Sequence, residues 1–116
     1  MDGETQQIVE AIDSEDARQI LALASLESMS AHDLEEELEV SLTTVYRHTE
    51  ELVDLDLLRE ETEIDPSGTQ YSTFQTTIRR IAFTIHGGEF RVDLQYRDDM
   101  VDRFSRLWRA LGDRPS

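Results

Sequence analysis

The sequence predicts an α+β chain, helical through its first half and stranded through most of its second. Three observations carry that expectation. Apolar residues recur at helical spacing as far as Leu55. Over residues 57–96 their spacing shortens to two. Between these stretches stand residues that stop one element and start another: Asp13-Ser14, Ser30, Ser41, Asp65-Pro66-Ser67-Gly68 and Gly87-Gly88.

The first periodic stretch runs from Thr5 to Ile12, with Ile8, Val9, Ala11 and Ile12 apolar. Asp13-Ser14 interrupts it and can cap a longer helix from about Glu15 to Leu26, with a stripe of Ala17, Ile20, Leu21 and Ala24 and with Arg18 on the opposite side. Glu27-Ser28 ends that helix. Ser30 suits an N-cap, and Asp33 three residues on completes a capping box. Leu34 and Leu38 follow at i, i+4. Glu39-Val40-Ser41 is a short break, and Ser41 caps a further helix over about residues 42–55. Val45, Leu52 and Leu55 form its apolar stripe. Thr43, Thr44 and Arg47 point away from that stripe, and Tyr46 and His48 flank it. Two short helices joined by about three residues make a helix-turn-helix unit. Any small helical hairpin with a leucine stripe would read similarly. The small polar residues and Arg at the start of the second helix favour a surface built to meet base edges.

Residues 57–75 predict a β-hairpin. REETEI is charged and extended, Asp65-Pro66-Ser67-Gly68 suits a type I turn, and Tyr71-Ser72-Thr73-Phe74 alternates. A hairpin directly after the second helix of the pair gives a winged helix-turn-helix over residues 5–75. A second hairpin occupies residues 76–96. Its Gly87-Gly88 loop suits a I′ or II′ turn, which sets Ile85 opposite Phe90, Phe83 opposite Val92 and Ile81 opposite Leu94. All six then share one face, while Arg80, Thr84, Arg91, Asp93 and Gln95 lie on the other. A C-terminal helix over residues 98–112 offers Met100, Val101, Phe104, Leu107, Trp108 and Leu111 as a broad apolar stripe. It is wider than one small hairpin requires, so these six are the expected dimer interface.

With 116 residues, the chain reads as a single domain spanning residues 1–116. No apolar run is long enough to span a membrane, and the first residues lack the basic and apolar blocks of a signal peptide, so the expected location is the cytoplasm. Acidic residues number 26 against 11 basic ones, a formal net charge of −15. All the basic residues are Arg; there is no Lys. Disorder is a poor explanation, because 38% of the residues are hydrophobic and well patterned. An acidic interaction protein is a second explanation. The favoured one is adaptation to very high internal salt, where the Debye length falls to about 3 Å and self-repulsion is screened. With no cysteine, disulfides, thiolate chemistry and Cys-type zinc sites are excluded.

The order helix, helix, helix-turn-helix, hairpin resembles the winged-helix regulators of the ArsR and PadR type, in particular their small haloarchaeal members, which include stress-responsive regulators. Residues 16–74 carry the resemblance. Its most specific part is VSLTTVYRHTEELVDLDLLREET, similar to the family pattern of Val-Ser, a Thr-Val pair, Tyr or Ser before Arg, a leucine-rich helix end and Gly-Leu-Leu leading into the wing. The resemblance implies a homodimeric transcription regulator of a halophilic archaeon. Its helix starting at Ser41 would read double-stranded DNA. Three positions depart from the pattern. Thr49 stands where Leu or Ile is usual, Asp56 replaces the usual Gly, and the metal-sensing Cys and His clusters are missing.

The candidate DNA contacts are Ser41, Thr43, Thr44, Tyr46, Arg47, His48, Arg59 and Gln70. Arg47 could sit bidentate on a guanine, clamp a phosphate, or pair with Glu50 or Glu51 along its own helix. For Thr43 and Thr44, filling the first helical turn is as good an account as binding. Tyr46 could reach a phosphate or pack on the wing, and His48 could do either. In the wing, Arg59 is surrounded by Glu60, Glu61, Glu63 and Asp65, a poor match for phosphate. His32, His48 and His86 are not spaced as a metal set. No nucleophile-base constellation and no phosphate-cradling glycine loop is present, so neither an enzyme nor a cofactor is expected, potassium ions at the DNA interface excepted. The alternative is a winged-helix module that binds a protein through its acidic surface. One feature separates the two. Residues 40–49 hold no carboxylate, in a chain that averages more than two per ten residues.

Overall fold

The computed structural model describes residues 3–98. The expected helix over residues 98–112, with Met100, Val101, Phe104, Leu107, Trp108 and Leu111, lies outside the described residues from residue 99 on. Within them are four helices and two antiparallel sheets, an α+β arrangement in the expected order. The helices are α1 (Gly3–Ile12), α2 (Glu15–Leu26), α3 (Ala31–Leu38) and α4 (Leu42–Asp54). The strands are β1 (Met29–Ser30), β2 (Leu58–Ile64), β3 (Gln70–Thr76), β4 (Ile78–His86) and β5 (Glu89–Tyr96).

Side-chain caps set the helix starts. The Ser14 hydroxyl accepts from the Ala17 amide at 3.3 Å and opens α2. At α3 the box is reciprocal: Ser30 Oγ accepts from the Asp33 amide at 3.1 Å, and Asp33 Oδ2 accepts from the Ser30 amide at 3.0 Å. Ser41 Oγ accepts from the Thr44 amide at 3.1 Å and opens α4. Arg18 is exposed, and it folds back across the break between α1 and α2. Its Nη1 donates to the carbonyls of Ile12 at 2.8 Å and Asp13 at 2.9 Å, satisfying acceptors at the end of α1.

The centre of the fold is α2, which packs against α1, α3, α4 and β3. Ile20 and Ala24 of α2, Leu34 of α3, Val45 and Leu52 of α4 and Leu57 beyond it are fully enclosed. Met29, Leu58, Phe74 and Ile78 close the core on the sheet side. Burying one such large side chain stabilises by roughly 1.5–3 kcal/mol. Leu55, expected in the stripe of α4, is only half-buried. Thr49 does enter the core, at 1% exposure, and its Oγ1 donates to the Tyr46 carbonyl at 3.2 Å. Its hydroxyl therefore costs little there, since a buried donor with a partner avoids most of the desolvation penalty.

The end of α4 explains the departure at position 56. The Leu57 amide donates to the Leu52 carbonyl at 2.9 Å, and the Asp56 amide donates to the Val53 carbonyl at 3.0 Å. This pair of bonds is a Schellman cap, which places Asp56 in the left-handed region at φ 61°. A non-glycine residue there costs about 1–2 kcal/mol. Part of that gain is offset because glycine leaves the unfolded chain freer. Asp56→Gly should therefore raise stability by about 0.5–1 kcal/mol, read as a higher urea midpoint in molar KCl. A lower midpoint would mean that the Asp56 side chain makes a stabilising contact.

The first sheet has the order β1-β3-β2. Its two-residue strand β1 pairs Met29 with Phe74 and Ser30 with Thr73, an element absent from the sequence expectation. β2 and β3 form the expected hairpin, with Leu58 opposite Thr76 and Ile64 opposite Gln70. At its tip the Gly68 amide donates to the Asp65 carbonyl at 2.9 Å, and Gly68 takes φ 88°. Asp65 Oδ1 accepts from the Ser67 hydroxyl at 2.6 Å and from the amides of Ser67 and Thr69, both at 2.9 Å. The Ser67 hydroxyl above all, then the Thr69 amide, hold the Asp65 carboxyl below its ordinary range.

The second sheet is the β4–β5 hairpin in the expected register: Ile81 faces Leu94, Phe83 faces Val92 and Ile85 faces Phe90. Gly87 and Gly88 both have positive φ, at 60° and 80°, as a type I′ turn requires. A bulge between Ile78 and Arg80 breaks the alternation near the start of β4. Two threonines pin the junction of the sheets. Thr76 Oγ1 donates to the Leu21 carbonyl at 2.6 Å, and Thr77 Oγ1 to the Asp56 carbonyl at 2.7 Å.

Candidate nucleic-acid interface

The helix-turn-helix is α3, three linking residues and α4, with the β2–β3 hairpin following as a wing. Burial of Val45, Thr49 and Leu52 fixes which side of α4 faces inward. In the first half of α4 the exposed residues are 43, 46 and 47, spaced as neighbours on a helix surface; Glu50, Glu51 and Asp54 are exposed further along. Thr43 and Arg47 are exposed to solvent, and Tyr46 is 48% exposed. His48 is half-buried. Two of the candidate hydroxyls have work within the helix start. Ser41 Oγ caps α4 and also donates to Thr44 Oγ1 at 2.9 Å, and Thr44 is half-buried.

The electrostatics of α4 change along its length. Its first turn carries no acidic residue. The positive end of the helix dipole and its unpaired amides therefore face solvent without a neighbouring carboxylate of their own turn. Past Arg47 the character reverses. Arg47 borders an open groove of about 730 Å³ between α1 and α4, which is otherwise lined by Gln7, Glu10, Glu50, Glu51, Asp54 and Leu55. The intrahelical ion pair with Glu50 or Glu51 that the spacing permits is not made: among the described residues Arg47 has no carboxylate within 4.0 Å. Its guanidinium sits on the border between the acid-free first half of α4 and the acidic second half.

In the wing, Arg59 is half-buried and engaged within the sheet. Its Nε lies 2.9 Å from Glu61 Oε1, and its Nη2 donates to Gln75 Oε1 on β3. Gln70 is exposed at the start of β3, beside the tip. Tyr71 donates its hydroxyl to Glu63 Oε2 at 3.3 Å, and desolvation together with Glu63 raises its pKa. The structure thus brings Thr43, Tyr46 and Arg47 together on one helix face. It leaves Arg59 apart, and places Ser41 and Thr44 at the root of that helix.

A second grouping was not legible in the sequence. Arg80 was expected on the outer face of the second hairpin and Arg18 away from its helical stripe. Both line one cavity together with Arg79 and Arg97. The only sequence signal is the Arg79-Arg80 pair, whose two side chains a regular strand would send to opposite faces. Among the described residues no three His, Asp or Glu side chains are grouped to hold a metal ion. No helix there is long and apolar enough to cross a membrane.

No protein-family model matches the sequence, and no curated protein does. Among solved structures, the ferric uptake regulator Fur of Vibrio cholerae, described as showing a structural rearrangement of its DNA-binding domains, is similar with a TM-score of 0.38 and 16% identity. The match covers 97% of this chain and 80% of that one. At that distance it assigns neither fold nor function.

Proposed function

We propose that the chain is a homodimeric, sequence-specific DNA-binding transcription regulator adapted to high salt and responsive to stress, with α4 lying in the major groove and the β2–β3 wing beside it. One observation carries the reading. In a chain of net charge −15, the start of α4 is free of carboxylates and presents Thr43, Tyr46 and Arg47 to solvent. That is the end of a recognition helix that meets base edges. The large excess of acid in the chain is the reason that an interaction module binding through its acidic surface is the second reading. The groove of Glu10, Glu50, Glu51 and Asp54 is the observation that favours that alternative.

The dimer is part of the proposal. Phe83, Ile85 and Phe90 on the apolar face of β4–β5 are 44%, 79% and 40% exposed, and the Phe83 and Phe90 rings lie 5.7 Å apart. In the dimer this face and the stripe of Met100, Val101, Phe104, Leu107, Trp108 and Leu111 form the interface. Two copies of α4 then read half-sites about one helical turn apart.

The acidic neighbours of Arg47 set the salt dependence. An ordinary regulator releases counterions from phosphates, and its affinity falls with a slope of about −0.9 per phosphate contact. Here Glu50, Glu51 and Asp54 would approach phosphates with like charge. Long-range repulsion then opposes binding at low salt, and molar salt screens it to within about 3 Å. Potassium ions taken up between carboxylate and phosphate would make binding improve with salt. The test selects a duplex from a random pool and titrates it from tenths molar to multimolar KCl. The expected result is an enriched sequence whose affinity is flat or rises across that range. A steep loss of affinity in folded protein contradicts the potassium mechanism. Selection that enriches no sequence contradicts DNA reading itself.

A further inference from the structure

Between the α1–α2 corner and the start of β4 lies an open cavity of about 640 Å³. Four arginines stand around it: Arg18, Arg79, Arg80 and Arg97. They are four of the seven arginines among residues 3–98, and among those described residues no Asp or Glu side chain lines the cavity. Its remaining wall is largely apolar, with Leu21 from α2 and Ile78 and Ile81 from β4. In a chain with so large an excess of acid, an acid-free wall of four cations is a local reversal of sign. Like charges held close repel, and an anion between them relieves the repulsion.

Two of the four are held in place from behind. Arg18 Nη1 is anchored on the carbonyls of Ile12 and Asp13. Arg97 Nη1 donates to the Thr76 carbonyl at 3.1 Å and reaches the Ser25 carbonyl at 3.5 Å. Anchoring of this kind lowers the ordering cost when a ligand arrives. The other two owe their placement to the bulge of β4, where Ile78, Arg79, Arg80 and Ile81 all reach the same wall although they are consecutive. Among the described residues the Asp98 carboxylate lies 4.0 Å from Arg79 Nη1 and is 93% exposed.

We infer that this cavity binds a small amphipathic carboxylate, its head group held by the arginines and its apolar body against Leu21, Ile78 and Ile81. The guanidinium fork matches a carboxylate in bidentate fashion. An inorganic anion would leave the apolar wall in water, and a neutral apolar molecule would offer the guanidinium donors no acceptor. The volume falls within the range of about 300–1,000 Å³ usual for small-molecule sites. The inference does not depend on DNA binding.

The test is calorimetric titration of the full chain, at the lowest KCl that keeps it folded, with octanoate, octan-1-ol and inorganic phosphate as probes. Octanoate should bind at least about tenfold more tightly than either of the others, since each of them lacks one half of the complementarity. Arg79→Gln combined with Arg80→Gln should weaken octanoate about tenfold and leave octanol unchanged, with the thermal midpoint preserved because both side chains are exposed. Phosphate binding as tightly as octanoate, and displaced by a DNA duplex, would assign the arginines to nucleic-acid backbone and overturn the inference. Octanol equalling octanoate, no octanoate binding, or an unaffected double variant would overturn it as well.

Discussion

Leu52→Ala is expected to lose about 2–5 kcal/mol of folding stability. Leu52 is completely enclosed on the inward face of α4. That helix packs against α1, α2, α3 and β2, so the methyl groups removed would leave a cavity at the meeting point of four elements. The backbone there is also committed, because the Leu52 carbonyl accepts the Leu57 amide in the cap that turns the chain into the wing. The surroundings therefore have little freedom to collapse, which places the cost toward the upper part of the range. Against a usual total of about 5–15 kcal/mol, such a loss populates the unfolded chain measurably. Urea denaturation in molar KCl reads it, with Glu51→Ala, an exposed neighbour, as a control expected within about 0.5 kcal/mol of the unmodified chain. A loss under about 1 kcal/mol at Leu52 would place the core elsewhere.

Arg47→Ala should weaken specific DNA binding by about 1–3 kcal/mol, roughly five- to 150-fold, and relax the preference at one base pair. Stability should stay nearly unchanged, because the side chain is exposed and makes no ion pair among the described residues. Arg47→Lys separates two roles. If the guanidinium clamps a guanine edge with both of its nitrogens, Lys restores little; if it meets a phosphate as a point charge, Lys restores much of the affinity. Unaltered affinity in Arg47→Ala would remove this residue from the interface and shift weight to the acidic-surface alternative.

What was legible in the sequence was whatever short-range chemistry decides. Ser14, Ser30 and Ser41 announce helix starts because a hydroxyl can meet an amide only three residues away. Gly87-Gly88 fixes the register of six cross-strand residues because only a primed turn with positive φ closes a two-residue loop. What was missed depends on partners distant in the chain. β1 is two residues long and exists only because Phe74 and Thr73 come alongside Met29 and Ser30. The bulge at Arg79 and the grouping of Arg18, Arg79, Arg80 and Arg97 arise where the hairpin meets α2, which no local period encodes. The candidate interface was legible in outline but not in the roles of its members. Ser41 and Thr44 hydrogen-bond each other and Arg59 pairs with Glu61 and Gln75, leaving Thr43, Tyr46 and Arg47 as the outward-facing set.

The central claim is that the acid-free start of α4 is where this acidic chain meets DNA. It is tested most directly by mapping backbone amide NMR shifts on addition of the selected duplex in molar KCl. The account predicts that the largest changes fall on residues 41–48, with smaller ones around Gln70 at the wing tip. Changes concentrated instead on Gln7, Glu10, Glu50 and Asp54, or spread evenly over the surface, would contradict it.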